Sequence, residues 1–332
     1  MKSGFLLLNK PAGITSFDAI RIARKKLGIK KMGHAGTLDP FATGLLVVAV
    51  GEATKALSHL FTSSKTYRTQ IVFGITSDTL DPEGKVCLAT NANGIQEIRF
   101  SEEEIKKALS SFVGKILQTP PQYSALKIDG KRACDRMRAG ETIKIKPRET
   151  ELFSAELFGI EERELSEIAG KYSFQNILSP PNSPREVGRE LAFWEAKFLL
   201  GRRCIIADIR IHVQTGFYVR SFARDLGKKL GTTAMCLSLH REKIGNFLCE
   251  HAISPDDISE KNIFPVMPQH FSLPSFSLST SQREEFFHGQ AFFASAEEKG
   301  RYAIFFENNW VGFAECDGKK MHPKKCVSSQ KV

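Results

Sequence analysis

Apolar positions along the chain alternate between the period of a strand and the period of a helix. Residues 4–8 are a short apolar run closed by Asn9, Lys10 and Pro11, which predicts a buried strand. Thr15 or Ser16 then caps a helix in which Phe17, Ile20, Ala23 and Leu27 keep helical spacing, Lys25 and Lys26 occupy the last turn, and Gly28 stops the run. A loop over 33–44 leads into residues 45–50, an uninterrupted apolar run that predicts a strand covered on both faces. Residues 52–61 read as helix. Residues 65–73 alternate and place Tyr67, Thr69, Ile71 and Phe73 on one face. Asp81-Pro-Glu-Gly84 reads as a turn, and Ser101 with Glu104 as a capping box ahead of Ile105, Leu109 and Phe112, with Gly114 closing that helix.

Beyond Pro120-Pro121, two basic strands around 126–128 and 142–146 flank a short helix over 132–138. Residues 151–158 and 204–213 alternate as strands. The stretch between them, near 160–200, includes Ser179-Pro-Pro-Asn-Ser-Pro184 and reads as a surface insertion. A helix over 219–230 follows Gly216-Phe217-Tyr218. A small β-rich region begins near 272, with a helix capped by Ser279 or Thr280, a hairpin over 302–306 and 310–316 turning at Asn308-Asn309, and a closing basic segment over 319–325. The chain is expected to be α+β, with a larger domain over 1–271 and a small one over 272–332.

Charge adds what the pattern cannot. The chain has 47 Lys and Arg against 37 Asp and Glu, a net +10, which favours an anionic partner. The excess is focused: residues 1–60 hold nine basic against three acidic side chains, and 122–148 hold eight against three. Focused positive charge is what a phosphate-binding surface requires. Residues 276–332, with eight against seven, are close to neutral.

Several classes drop out. The N-terminal apolar run is too short for a signal peptide, and no apolar run approaches the ~18 residues of a membrane span. Seven cysteines with no C-x-x-C pair argue against a disulfide framework or a zinc site, and a cytoplasmic protein is expected. Neither a G-x-G-x-x-G fingerprint nor a phosphate-binding G-x-x-x-x-G-K loop occurs, so any reaction is expected to need no cofactor and no metal.

The loop over 33–44 is the first candidate for chemistry. Three glycines and a proline shape its backbone, and one carboxylate, Asp39, stands in its middle, anchored by the strand that follows. Thr-Leu-Asp-Pro occurs twice, at 37–40 and at 79–82; the second copy falls in the 81–84 turn, and Asp81 is assigned a turn role.

Gly33-His-Ala-Gly-Thr-Leu-Asp-Pro-Phe-Ala-Thr-Gly44 resembles the signature of the TruB family, the bacterial tRNA pseudouridine-55 synthases. Four further blocks agree, in the family's order: Leu8-Asn-Lys-Pro-Ala-Gly-Ile-Thr-Ser16, Lys65-Thr-Tyr67, Pro120-Pro-Gln-Tyr-Ser-Ala-Leu-Lys127 and Tyr218-Val-Arg-Ser221. The resemblance covers about 4–158 and 204–247, omits 160–200, and departs from the family's usual Gly-Thr-Tyr at Gly216-Phe217-Tyr218.

The resemblance implies a pseudouridine-synthase fold, with a mixed, mainly antiparallel central sheet flanked by helices, plus a small C-terminal PUA-like β-barrel. It implies isomerisation of uridine 55 in the tRNA T-loop by base flipping, without a cofactor, with Asp39 as the catalytic nucleophile. Tyr67 matches the active-site tyrosine that stacks on the extruded uracil. Arg220 matches the arginine that pairs with the catalytic carboxylate; read as sharing a strand end with Tyr218, it would lie on the same face. Tyr218 and Leu239 match positions lining the uracil pocket, and His34 a histidine at the RNA face. Lys10 matches a block bracing the active-site loop, and Lys127, with Lys131 and Arg132, is a candidate for phosphate contact. The implied partner is the T-arm of tRNA, acted on by a monomer with no membrane and no protein partner. Two other readings stay open: a non-catalytic tRNA-folding chaperone, and a synthase acting on another RNA.

Overall fold

The structure is a computed structural model, and it describes residues 3–60, 62–91, 94–95, 98–124, 126–128, 130–141, 143–172, 177–178, 190–191, 201–294 and 298–327. The chain divides into two compact units, one built from residues 1–65 and 241–332, the other from 66–240. The division falls inside the strand Ala234–Ile244.

In the first unit, Gly4–Lys10 pairs antiparallel with Thr43–Val50, from Gly4 opposite Val50 to Lys10 opposite Gly44. Met32–His34 pairs with the later part of the same strand. The run 43–50 is apolar at nearly every position because both of its faces are covered. Leu46, Val48 and Val50 meet Ala19, Ile20, Ala23 and Leu27 of the helix Ser16–Leu27. Leu45, Val47 and Ala49 join Phe247, Phe271, Phe305, Trp310 and Phe313 on the other side. Of the two expected caps Thr15 is the one used, completing a reciprocal capping box with Asp18, and Gly28 ends the helix in the left-handed region. The expected helix over 52–61 is a 3-10 turn, Gly51–Ala56, continued by the short helix Leu57–Leu60.

Among the described residues of 275–294 and 298–326 in this unit, five strands form one sheet. Gly300–Phe306 and Asn309–Cys316 make its hairpin, which turns at Glu307-Asn308, one residue earlier than expected. Both turn residues have positive φ, as a two-residue hairpin turn demands. The basic segment is itself a strand, Lys320–Cys326, paired with 309–316.

In the second unit the strand order runs from Ala234–Ile244 through Lys65–Phe73, Arg203–Val213 and Arg148–Glu164 to Gly114–Gln118. Buried positions alternate along 65–70, as the sequence pattern predicts. The helix Glu102–Ser110 carries the expected Ser101–Glu104 capping box, and Phe112 beyond it packs edge-on against Phe222 of the helix Val219–Lys229.

Three expectations change here. Residues 143–146 are not a strand; a two-residue hairpin, Lys127–Ile128 with Lys131–Arg132, precedes the helix Ala133–Arg138 instead. The strand expected over 151–158 extends over Arg148–Glu164 and stays paired with 203–213 to its end. Of the expected insertion near 160–200, residues 160–164 therefore belong to a strand and Leu165–Lys171 to a helix. Apart from 172, 177–178 and 190–191, the rest of it lies outside the described residues. Among the described residues, no helix is long and apolar enough to cross a membrane.

Candidate active site

The loop that carries Asp39 is tied down residue by residue within the first unit. Ser16, at the start of its helix, donates through its hydroxyl to the Leu38 carbonyl (3.1 Å) and accepts from the Leu38 amide (2.8 Å). On the other side of Asp39, the Pro40 carbonyl accepts from Lys10 Nζ (3.1 Å) and from the Gly13 amide (2.9 Å). Lys10 is fully buried and also donates to the carbonyls of Pro11 and Ile14, so one ammonium joins 10–14 to the loop. Asp39 itself is half-buried, and its own carbonyl accepts from the Ala42 amide, closing a turn. Both neighbours of Asp39 are thus fixed by side chains drawn from residues 10–16.

A second buried cation grips the limbs of the loop. Arg241 is fully buried; its Nε donates to the Leu45 carbonyl (2.8 Å), Nη2 to Gly36 (3.0 Å) and Nη1 to Thr37 (3.4 Å). The fork of the guanidinium spans the strand leaving the loop and the segment entering it, each carbonyl meeting its own nitrogen. Gly44 is obligatory beside it: its φ is +101°, and a Cβ there would lie 2.5 Å from the Arg241 carbonyl oxygen. The positive charge is felt nearby. Burial, then Arg241, pushes the Lys65 ammonium down to about 8. The same two causes lower His34, against an opposing contribution from the Gly36 main chain. Both causes disfavour the charged form of the imidazole.

The other residues singled out from the sequence lie in the second unit. Arg220 is buried in the first turn of Val219–Lys229, and Tyr218 is the N-cap of that helix. The two do not share a strand end, so the expected reason for their common face does not hold. A carboxylate that Arg220 grips is Asp81: Nη1 lies 3.1 Å from Oδ2, and the same nitrogen donates to the Thr79 carbonyl (2.7 Å). Nη2 donates to the Tyr123 carbonyl (3.0 Å), in the block around Pro120-Pro121. Gln118 positions the helix start, donating to the Tyr218 carbonyl (2.9 Å) and accepting from its amide (2.7 Å). Tyr67 is buried on the inward side of Lys65–Phe73. Leu239 is buried on the adjacent strand, which Thr69 joins through its hydroxyl to the Ser238 carbonyl (2.8 Å). Lys127 opens the small hairpin, and Lys131 in it is exposed.

Three positioning residues are not evident as such from the sequence. Asp81 was assigned to a turn, and it does accept from the Glu83 amide (3.0 Å), yet it is also buried and ion-paired. Arg241 left a legible trace: it continues the buried alternation Met235, Leu237, Leu239, where an inward charge is out of place. Gln118 left none. Chemically, the first unit offers a carboxylate backed by two buried cations, and the second a buried arginine–carboxylate pair with an inward tyrosine on its sheet.

Comparison with known proteins places the chain in a family. Residues 24–173 match the model of the TruB family pseudouridylate synthase N-terminal domain. The tRNA pseudouridine synthase B of Aquifex aeolicus is 31% identical over 330 residues, covering 98% of this chain and 99% of that protein. That of Treponema denticola is 38% identical over 264 residues; they make up 80% of this chain and 65% of the relative's length. Among solved structures, a Cbf5-Nop10-Gar1 complex aligns over 98% of this chain and 86% of the matched chain, with a TM-score of 0.64 at 21% identity, and so shares the fold. The blocks around Asp39, Tyr67 and Arg220 therefore sit in a chain alike from end to end, and the chain belongs to the TruB family of pseudouridine synthases.

Proposed function

We propose that this protein isomerises uridine 55 in the T-loop of tRNA to pseudouridine, with Asp39 as its catalytic nucleophile. The observation that carries this reading is the loop itself: Asp39 stands between two residues fixed by Ser16 and Lys10, while Arg241 clamps the loop's limbs. A carboxylate held this way needs little reorganisation at the moment of attack. In the reaction the bond from N1 to the ribose breaks, the base turns, and C5 bonds to the same ribose carbon. The proton on C5 leaves to solvent and N1 ends protonated, so the isomerisation is redox-neutral. Tyr67 would stack on the extruded uracil, with Tyr218 and Leu239 lining its pocket, and Arg220 would keep the site's carboxylates ionised and oriented. His34 would stand at the RNA face, and Lys10 would brace the Asp39 loop. Lys127 would meet phosphate.

The partner in this reading is the T-arm, recognised through its folded shape, with the region 272–332 as a small RNA-binding domain beside the catalytic domain 1–271. The protein would act as a cytoplasmic monomer. The test is tritium release from T-arm RNA labelled at C5 of its uridines. Release by wild type that vanishes in Asp39→Asn, with RNA binding retained, is the expected result. RNA binding without any release by wild type would overturn this reading and leave the folding chaperone and a synthase acting on another RNA, which other labelled RNAs would separate.

A further inference from the structure

The helix Ser16–Leu27 turns an unusual face to solvent. Its inward side, Ala19, Ile20, Ala23 and Leu27, is spent on the core, but Phe17 is 56% exposed. Arg21 and Arg24 follow at i+4 and i+7, so the three share one stripe. Their guanidinium carbons lie 5.8 and 5.6 Å from the centroid of the Phe17 ring, within cation–π range. Lys25 and Lys30 are exposed beyond them. Asp18, paired with Arg21 (2.6 Å), is the one carboxylate on the helix.

We infer that this stripe is a docking surface for the RNA strand that runs on from the target uridine. An unpaired base would stack on Phe17, and backbone phosphates would be received by Arg21 and Lys25, while Arg24, half-buried and donating to the Met32 carbonyl (3.0 Å), backs the ring. The inference rests on the RNA substrate proposed above and adds a surface to it. Two features identify the occupant. The stripe is strongly cationic, which fits a polyanion. It also combines an exposed aromatic ring with arginines, as single-stranded nucleic acid requires of a stacking platform. Its place fits as well: Phe17 follows Ser16, whose hydroxyl holds Leu38 next to Asp39. From Phe17 to Lys25 the helix rises about 12 Å, room for a short strand leading away from the loop.

The test compares unmodified tRNA binding and tritium release in wild type, Phe17→Ala, Phe17→Trp and the double variant Arg21→Gln with Lys25→Gln, after thermal melts confirm matched folding. The double variant should raise Kd about tenfold and flatten the slope of log affinity against log salt by roughly 1.5. Phe17→Ala should weaken binding about fivefold without changing that slope, and Phe17→Trp should restore it. In turnover the loss should sit mainly in KM. Wild-type affinity and salt slope in the double variant, or wild-type affinity in Phe17→Ala, would overturn the inference while leaving the proposed activity standing. Variant-sensitive binding without tritium release by wild type would do the reverse.

Discussion

Arg220 and Asp81 form an ion pair at 3.1 Å with side chains only 7% and 3% exposed. Two charges this far from water hold each other only while both are present, since either one alone would be an uncompensated buried charge. Asp81 is further fixed by the Thr79 hydroxyl (2.5 Å) and the Glu83 amide (3.0 Å), so the pair carries the turn at 79–83 to the start of the helix holding Arg220.

Asp81→Asn should therefore destabilise the protein by about 3 kcal/mol in chemical denaturation. It should also cut single-turnover tritium release by about two orders of magnitude, because it removes the charge that orients Arg220. Unchanged turnover in a folded Asp81→Asn protein would show that the pair is structural only.

Ser16→Ala removes both hydrogen bonds that fix Leu38, leaving two buried main-chain groups without that partner. The expected cost is about 2 kcal/mol of stability. Turnover should fall with little change in KM, since Asp39 would be less well held while the RNA surface stays intact. A rise in KM at constant kcat would contradict this placement.

How far the site was readable from sequence depended on how local its determinants are. The helix 16–27 was legible because Thr15, Asp18 and Gly28 state its ends within a few residues. The strand 65–73 was legible from its alternation, and the Asp39 loop from its ordered blocks. The further roles of Arg241 and Asp81 are not legible because their partners are remote: Arg241 holds Gly36 and Leu45, and Asp81, besides its turn, holds Arg220. The long strand 148–164 was cut short because its outer part, ending Glu161-Glu162-Arg163-Glu164, is exposed and so lacks the apolar alternation that betrays a strand. The 143–146 segment misled in the opposite way, alternating like a strand without pairing.

Arg241→Met should loosen the loop at both limbs, because three carbonyls lose a charged donor. Hydrogen exchange should rise at the amides of 35–45, and stability should drop by about 3 kcal/mol. Protection there equal to wild type would contradict the clamp.

Acid should weaken the first unit in two separate windows. The His59 ring lies tilted against Phe313, centroids 3.7 Å apart, and burial, then Arg301 and Lys325, pushes it down to about 4; burial alone does the same to His270. Because these folded values lie below the unfolded one near 6.5, the unfolded chain binds more protons between them, and stability falls as pH drops from about 6.5 to 4. Glu52, held at about 2 by hydrogen bonds from Lys31 and then Lys55, adds stability above 4.5 that is lost toward pH 2. In a Tm-against-pH series, His59→Phe should flatten the upper window and leave the lower one. An unaltered slope between pH 6.5 and 4 would rule out His59 as a contributor.

The most direct test of the account uses full-length tRNA carrying tritium at C5 of uridine 55 alone. Wild type is expected to release close to one tritium per tRNA, and Asp39→Asn none, while both bind the tRNA with similar Kd. Release by Asp39→Asn, or release only from label placed at other uridines, would contradict the assignment of Asp39 or of the target.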